Sequence, residues 1–267
     1  RNIINYPIWE KSELGHPLPD SKHAVSVALP TWEDIIDYEE KKPRCINSLQ
    51  SIYPRFGLNP ILKELSIEII SKYSQPNHKA WPFTNDYLAL KAKSFCDKKT
   101  DIKNSYLERT QNLTFLITKG DACNYAQVFW QHTGLGASSR EGAIALGIES
   151  PPPKSLVEDS YIKIVNRISK FSDVDSNLIH LTSSGMSALH TALEILYRIF
   201  PKKPTLQIGF PYVDVLKLPM NIFYGANLIN DENYDDIENK IKDIDPAALI
   251  IELPSNPMLK CANIKKI

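Results

Sequence analysis

From residue 176 to the end of the chain, hydrophobic and polar positions switch repeatedly between a period of two and a period of about 3.6. Leu178, Ile179 and Leu181 form a short strand-like run that Ser183-Ser184-Gly185 interrupts. From Met186 onward, Leu189, Ala192, Leu193, Leu196 and Phe200 recur at helical spacing, while His190, Glu194 and Arg198 share the opposite face. A strand is expected over 205–210, a short helix after Pro211-Tyr212, and a strand near 223–229. A helix then carries Tyr234, Ile237, Ile241 and Ile244 on one stripe behind an Asn233 cap, and 247–252 is a continuous apolar strand. Strands alternating with helices predict a mostly parallel sheet with helices on both faces. Ligands of such sheets gather at the carboxyl ends of the strands. Three such ends carry Ser183-Ser184-Gly185-Met186, Tyr212, and Glu252-Leu-Pro-Ser-Asn-Pro257.

The earlier part is less regular. Residues 1–50 are punctuated by Pro7, Pro17, Pro19, Pro30 and Pro43, with an alternating stretch over 23–30 that reads as an extended arm. Asn59-Pro60 is an N-cap followed by a first-turn proline, and Ile61, Leu62, Leu65, Ile69 and Tyr73 continue at helical spacing. Tyr53 and Arg55 therefore sit on the loop ahead of a helix. Helices are expected over 87–96, capped by Asn85, and over 122–131, with a strand over 113–118. Gly134 and Gly136 fall in His132-Thr-Gly-Leu-Gly-Ala-Ser-Ser-Arg140, a Gly-rich cap between helices that lacks the third glycine of a dinucleotide fingerprint. The spacing of Cys123 and His132 does not support a nucleophile–base pair. Pro151-Pro152-Pro153 marks a linker, after which Ser155-Leu-Val-Glu158 reads as a capping box. Val157, Tyr161, Ile164, Val165 and Ile168 would form one face of the helix it opens. We divide the chain into an arm with the Arg55 loop (1–65), an inserted mixed α/β region (66–175) and a first part of a ligand-binding domain (176–267).

Composition narrows the function classes. Lysine plus arginine balances aspartate plus glutamate at 31 each, which predicts no nucleic-acid footprint and no attraction to an acidic membrane. No apolar run approaches the ~20 residues of a membrane helix. Cys45, Cys96, Cys123 and Cys261 are widely spaced, which argues for reduced thiols in the cytoplasm and against a zinc site. The chain opens on Arg1 and stops at Ile267 after a strand and a Pro-rich turn; we read it as a fragment.

The candidate chemistry centres on residues 183–186. A strand, a small-residue turn and a helix start present unpaired backbone N–H groups and the positive end of a dipole to an anion, most often a phosphate. Taken alone, serine there is also an ordinary helix cap. The surrounding segments decide between the two. Tyr53-Pro-Arg55…Asn59-Pro60, Ser184-Gly-Met186, Tyr212 after its strand, and Glu252-Leu-Pro-Ser-Asn-Pro257 occur in one order. Together they resemble the cysteine/methionine-metabolism family of pyridoxal-phosphate enzymes, of aminotransferase fold type I. Within it, the stretches at 23–32, 53–56 and 129–136 look like the fungal type of cystathionine γ-synthase.

The resemblance implies an incomplete aspartate-aminotransferase-like fold, truncated before its C-terminal domain, with pyridoxal 5′-phosphate as cofactor. The N–H groups of Gly185 and Met186, in the Ser184 turn, would hold the cofactor phosphate. Tyr53 and Arg55 would reach the phosphate of a neighbouring subunit in a homodimer or homotetramer. Tyr212 would stack on the pyridine ring and Asn256 would bond its 3′-oxygen. The implied reaction is γ-replacement, in which cysteine displaces the acyl group of an O-acyl-homoserine. A sulfhydrylase, a cystathionine or methionine lyase, or a non-catalytic relative are the alternatives. The Schiff-base lysine and the aspartate of the pyridine nitrogen have no counterpart here, because Lys260, Lys265 and Lys266 follow Asn256 too closely. The catalytic residue is therefore unassigned, no metal is implied, and the chain alone is expected to be inactive.

Overall fold

The computed structural model describes residues 2, 4–72, 77–101, 104–229, 234–255 and 258–266. The architecture is mixed α/β, in two compact units: Arg1–Gln127 with Gly136–Pro151, and Val128–Leu135 with Pro152–Ile267.

The first unit opens with a small antiparallel pair, β1 (Pro17–Leu18) and β2 (Ser26–Val27), so only two residues of the expected extended arm enter a ladder. Helices α1 (Trp32–Glu39), α2 (Pro43–Ile46) and α3 (Pro60–Ser71) follow. The start of α3 matches expectation: Asn59 Oδ1 accepts the Ile61 N–H at 3.0 Å, and Pro60 occupies the first turn. Tyr73 lies outside the described residues. Strand β3 (His78–Phe83), helix α4 (Asp86–Lys99) and strands β4 (Ser105–Arg109) and β5 (Thr114–Lys119) come next. Asn85 caps α4 through the Leu88 N–H. The sheet is antiparallel in the order β3-β5-β4, and Phe115, Leu116 and Ile117 of the central strand are fully buried. Helix α5 (Ala122–Thr133) begins in this unit and ends in the second, and the short α6 (Ser139–Ala145) completes the first. Gly142 of α6 lies so close to α3 that a Cβ there would be 2.7 Å from Leu62 Cδ2.

The second unit contains α7 (Lys154–Ser172), α8 (Gly185–Ile199), β6 (Thr205–Ile208), α9 (Val213–Ile222), β7 (Ala226–Ile229), α10 (Tyr234–Ile244) and β8 (Ala248–Ile251). Its sheet is wholly parallel in the order β7-β6-β8, as the alternation predicts. All four residues of β6 are buried, as a strand covered on both faces must be. Leu206 and Ile208 point to one face, where Ile229 and Ile237 join them with Ile241 and Ile244 of α10. The opposite side packs Leu193 and Tyr197 of α8 against Leu218 of α9, with Ile250 of β8 alongside.

Four expectations are corrected. Residues 178–181 are not a strand; Ser176–Leu178 is a 3-10 turn and Ile179 is extended without a ladder partner. An apolar run becomes a strand only when a neighbour takes its N–H and C=O groups. The box at Ser155 and Glu158 does not form, because Pro153 sits at the N-cap and Lys154 already begins the helix, where its Nζ lies 3.6 Å from Glu158 Oε1. The apolar face of α7 is largely exposed, and only Val165 is buried. In α8 the buried stripe is rotated: His190 is buried against the rings of Phe129 and Phe223, whereas Ala192 and Phe200 face outward. The expected parallel pairing holds in the second unit, while the strands of the first pair antiparallel; a four-residue connection joins β4 to β5, and β3 pairs with β5 across α4 and β4.

The first unit also has a pH-sensitive tie. His23 Nδ1 lies 3.0 Å from Ser139 Oγ, its Nε2 lies 2.8 Å from Glu149 Oε1, and Lys22 Nζ reaches the same oxygen at 2.8 Å. Hydrogen bonds from His23 and Lys22 hold the Glu149 carboxyl down to about 2, below its ordinary 4.5. Since folding lowers this value, its stabilisation is complete above the unfolded-state value and is lost as pH falls from there toward the folded one. The urea midpoint is expected to drop between about pH 5 and about pH 3, and to drop less in Glu149→Gln. Equal drops in both proteins would remove Glu149 as the source.

Candidate functional site

The carboxyl ends of β6 and β8 lie on the same edge of the parallel sheet, since Ile208 pairs with Ile251 in register. Tyr212 follows β6, stands at the N-cap of α9 and is half-buried. Its backbone N–H donates to Glu252 Oε2 at 2.5 Å, so the residue after β8 anchors the loop after β6. Glu252, quoted in sequence only as part of a motif, thus has a definite structural task.

The Ser184 turn begins α8. Ser184 Oγ accepts the Ser187 N–H at 3.1 Å, and the Ser184 N–H donates to Ser187 Oγ at 2.9 Å. This reciprocal box arises from a serine at the N-cap and another three residues on. The first N–H groups of a helix have no intrahelical acceptor. Ser187 N–H is taken by the cap and Ala188 N–H by the Ser184 carbonyl. Gly185 and Met186 remain with N–H groups directed at the helix entrance. Gly185 is exposed, and a Cβ built on it meets nothing within 4 Å. The turn therefore has donors of the kind a phosphate group requires, at the positive end of a fifteen-residue helix.

Two residues of the Gly-rich cap, in roles the sequence did not assign, and Asp214, which it did not single out, stand next to this entrance. His132, near the end of α5, is buried, and its Nδ1 lies 3.1 Å from Oδ1 of the equally buried Asp214 in the first turn of α9. Two residues on, Gly134 presses against the Ser184 turn: a Cβ there would lie 2.5 Å from Ser184 Oγ and 3.0 Å from Met186 Cβ. Gly134 also has φ +65, a backbone state that favours glycine. The glycine at a helix end was legible; its approach to Ser184 and the contact of His132 with Asp214, 82 positions away, were not. Cys123 Sγ instead accepts from Thr118 Oγ1 at 3.4 Å, and burial pushes the Cys96 thiol up to about 12.

Of the candidate residues, Ser184, Gly185, Met186 and Tyr212 fall in the second unit, on the starts of two helices that pack together. Tyr53 and Arg55 belong to the first unit. Tyr53 begins a tight turn, its carbonyl accepting the Phe56 N–H at 2.8 Å, and the Arg55 guanidinium lies 5.3 Å from the Phe56 ring centre. Asn256, like the Asn233 cap, lies outside the described residues. Among the described residues no cluster of three metal-ligating side chains occurs, and no helix is long and apolar enough to cross a membrane.

The chain is similar to fungal cystathionine γ-synthases. A putative cystathionine γ-synthase of Saccharomyces cerevisiae is 30% identical over 48% of this chain and 23% of its own length. A second protein of that yeast, a cystathionine γ-synthase, is 30% identical over 46% of this chain and 22% of itself. A cystathionine γ-synthase-like enzyme of Amanita muscaria is 21% identical over 95% of this chain and 58% of itself. The chain thus covers less than two thirds of each relative. No family model matches it, and no solved structure does.

Ser184→Ala removes the cap and is expected to lower unfolding free energy by about 1 kcal/mol. An unchanged denaturation midpoint would show that the capping box contributes nothing to α8.

Proposed function

We propose that this chain is part of a pyridoxal-phosphate-dependent trans-sulfuration enzyme of aminotransferase fold type I, with cystathionine γ-synthase the activity it supports best. One observation carries the proposal. The Gly185 and Met186 N–H groups open a capped helix whose motif follows the sequence order of the family, in a chain whose relatives bear that name.

In this reading Gly185 and Met186 bind the cofactor phosphate, and the Ser184 side chain holds their turn in shape through Ser187. Tyr212 offers its ring as a flat face for the pyridine, positioned by the Glu252 carboxylate through the backbone. Asn256 is assigned to the ring oxygen. Tyr53 and Arg55 are assigned to the phosphate of a neighbouring copy, where a fixed guanidinium fork suits phosphate oxygens; this makes the assembly a homodimer or homotetramer. Bound there, pyridoxal phosphate supplies an electron sink for charge developing beside the substrate amine. The substrates are an O-acyl-homoserine and cysteine, and the compartment is the cytoplasm. Residues 176–267 form the first part of the cofactor domain, after an arm (1–65) and an insertion (66–175). No lysine of this chain is assigned to the cofactor aldehyde, so turnover is assigned to a longer chain that includes this one.

Binding of pyridoxine 5′-phosphate, which has no aldehyde to condense with surface lysines, tests the ring and phosphate contacts. Tyr212→Phe is expected to bind within about twofold of the native sequence, and Tyr212→Ala to lose about 0.5–1.5 kcal/mol. Equal losses in both would transfer the contribution from the ring to the hydroxyl. A native chain that binds the probe no better than inorganic phosphate would overturn the cofactor assignment.

A further inference from the structure

Within the second unit, a four-residue stretch, 132–135, touches both of the helix starts just described. Gly134 lies against Ser184 and Met186 of the α8 entrance, at distances that leave no room for a side chain. His132 reaches the other way, to Asp214, two residues past Tyr212. Both of these side chains are nearly inaccessible, at 5% and 2% exposure. The contact between them is not a helix cap, since the α9 N-cap has no side-chain bond. A buried ionisable pair contributes little net stability compared with well-packed apolar residues. What such a pair does provide is a fixed geometry between the elements it joins.

We infer that the 132–135 turn is a positioning brace, which holds the Gly185 and Met186 N–H groups at a set spacing from the Tyr212 ring. The inference rests on the cofactor reading above, in which one ligand meets both points. A ligand held at two points benefits from their being set in advance, because binding at one presents the other at high effective concentration. Loosening the brace removes that benefit and leaves each single point with its own affinity. Gly134 has a different task, since it shapes the phosphate turn directly.

Affinities for pyridoxine 5′-phosphate and for inorganic phosphate, each measured by titration of this chain, separate these effects. His132→Gln and Asp214→Asn are each expected to weaken pyridoxine 5′-phosphate about tenfold and to leave inorganic phosphate within about twofold. The double variant should match either single one, because both weaken the same contact, Asn by removing its charge and Gln by replacing the ring. Gly134→Ala should weaken both ligands, as it pushes on Ser184 and Met186. Should His132→Gln fail to fold, Asp214→Asn, which keeps the side-chain shape, decides alone. Parallel loss of both ligands in Asp214→Asn would reduce the pair to a fold contact, and unchanged binding of both would also overturn the brace. If the native chain does not favour pyridoxine 5′-phosphate over inorganic phosphate, it is the cofactor reading itself that fails.

Discussion

Parallel pairing of β6 between β7 and β8 is the constraint on which the second unit depends. Parallel neighbours cannot be joined by a hairpin, so each connection must cross the sheet, and here each crossing is made by a helix. The central strand is then shut off from water on both faces, which is why Thr205 and Gln207 are buried along with Leu206 and Ile208. The Gln207 amide nitrogen donates to Thr205 Oγ1 at 3.0 Å, while its buried Oε1 has no hydrogen-bond partner among the described residues. The same pairing brings the loops after β6 and β8 to one edge, where Glu252 can hold the Tyr212 backbone.

The α8 start is built from small, local devices. The Ser184–Ser187 box consumes the donors it needs and leaves two N–H groups pointing outward. Glycine at the next position is exposed, and a Cβ built on it meets nothing within 4 Å. The helix start is thus capped from within the chain, through contacts of Ser184 and Ser187 that use no charged side chain. His132 and Asp214 stand behind this surface as a buried tie between elements distant in sequence.

Much of this was legible beforehand because the signals were local. Asn59-Pro60 and Asn85 announced their helices, since a cap acts within three residues of itself. Alternation of periods predicted the parallel sheet and its covering helices, and Tyr234–Ile244 was bounded correctly. The misses share one cause, which is competition from something local inspection does not weigh. Residues 178–181 had strand composition without a partner strand, and Pro153 with Lys154 took the helix start that Ser155 could have capped. His190 was placed on the polar face, yet it is buried against Phe129 and Phe223 because tertiary packing decided which way the helix turned.

The sequence by itself determined the order of elements after residue 205, the helix starts at Asn59 and Asn85, and the small-residue turn at Ser184-Gly185-Met186, because each follows from interactions spanning a few residues. The tertiary structure alone decided that Gly134 closes on that turn, that His132 meets Asp214, and that Glu252 anchors Tyr212. These contacts join positions far apart along the chain. Only the crossing of the parallel sheet and the docking of its helices set such positions side by side.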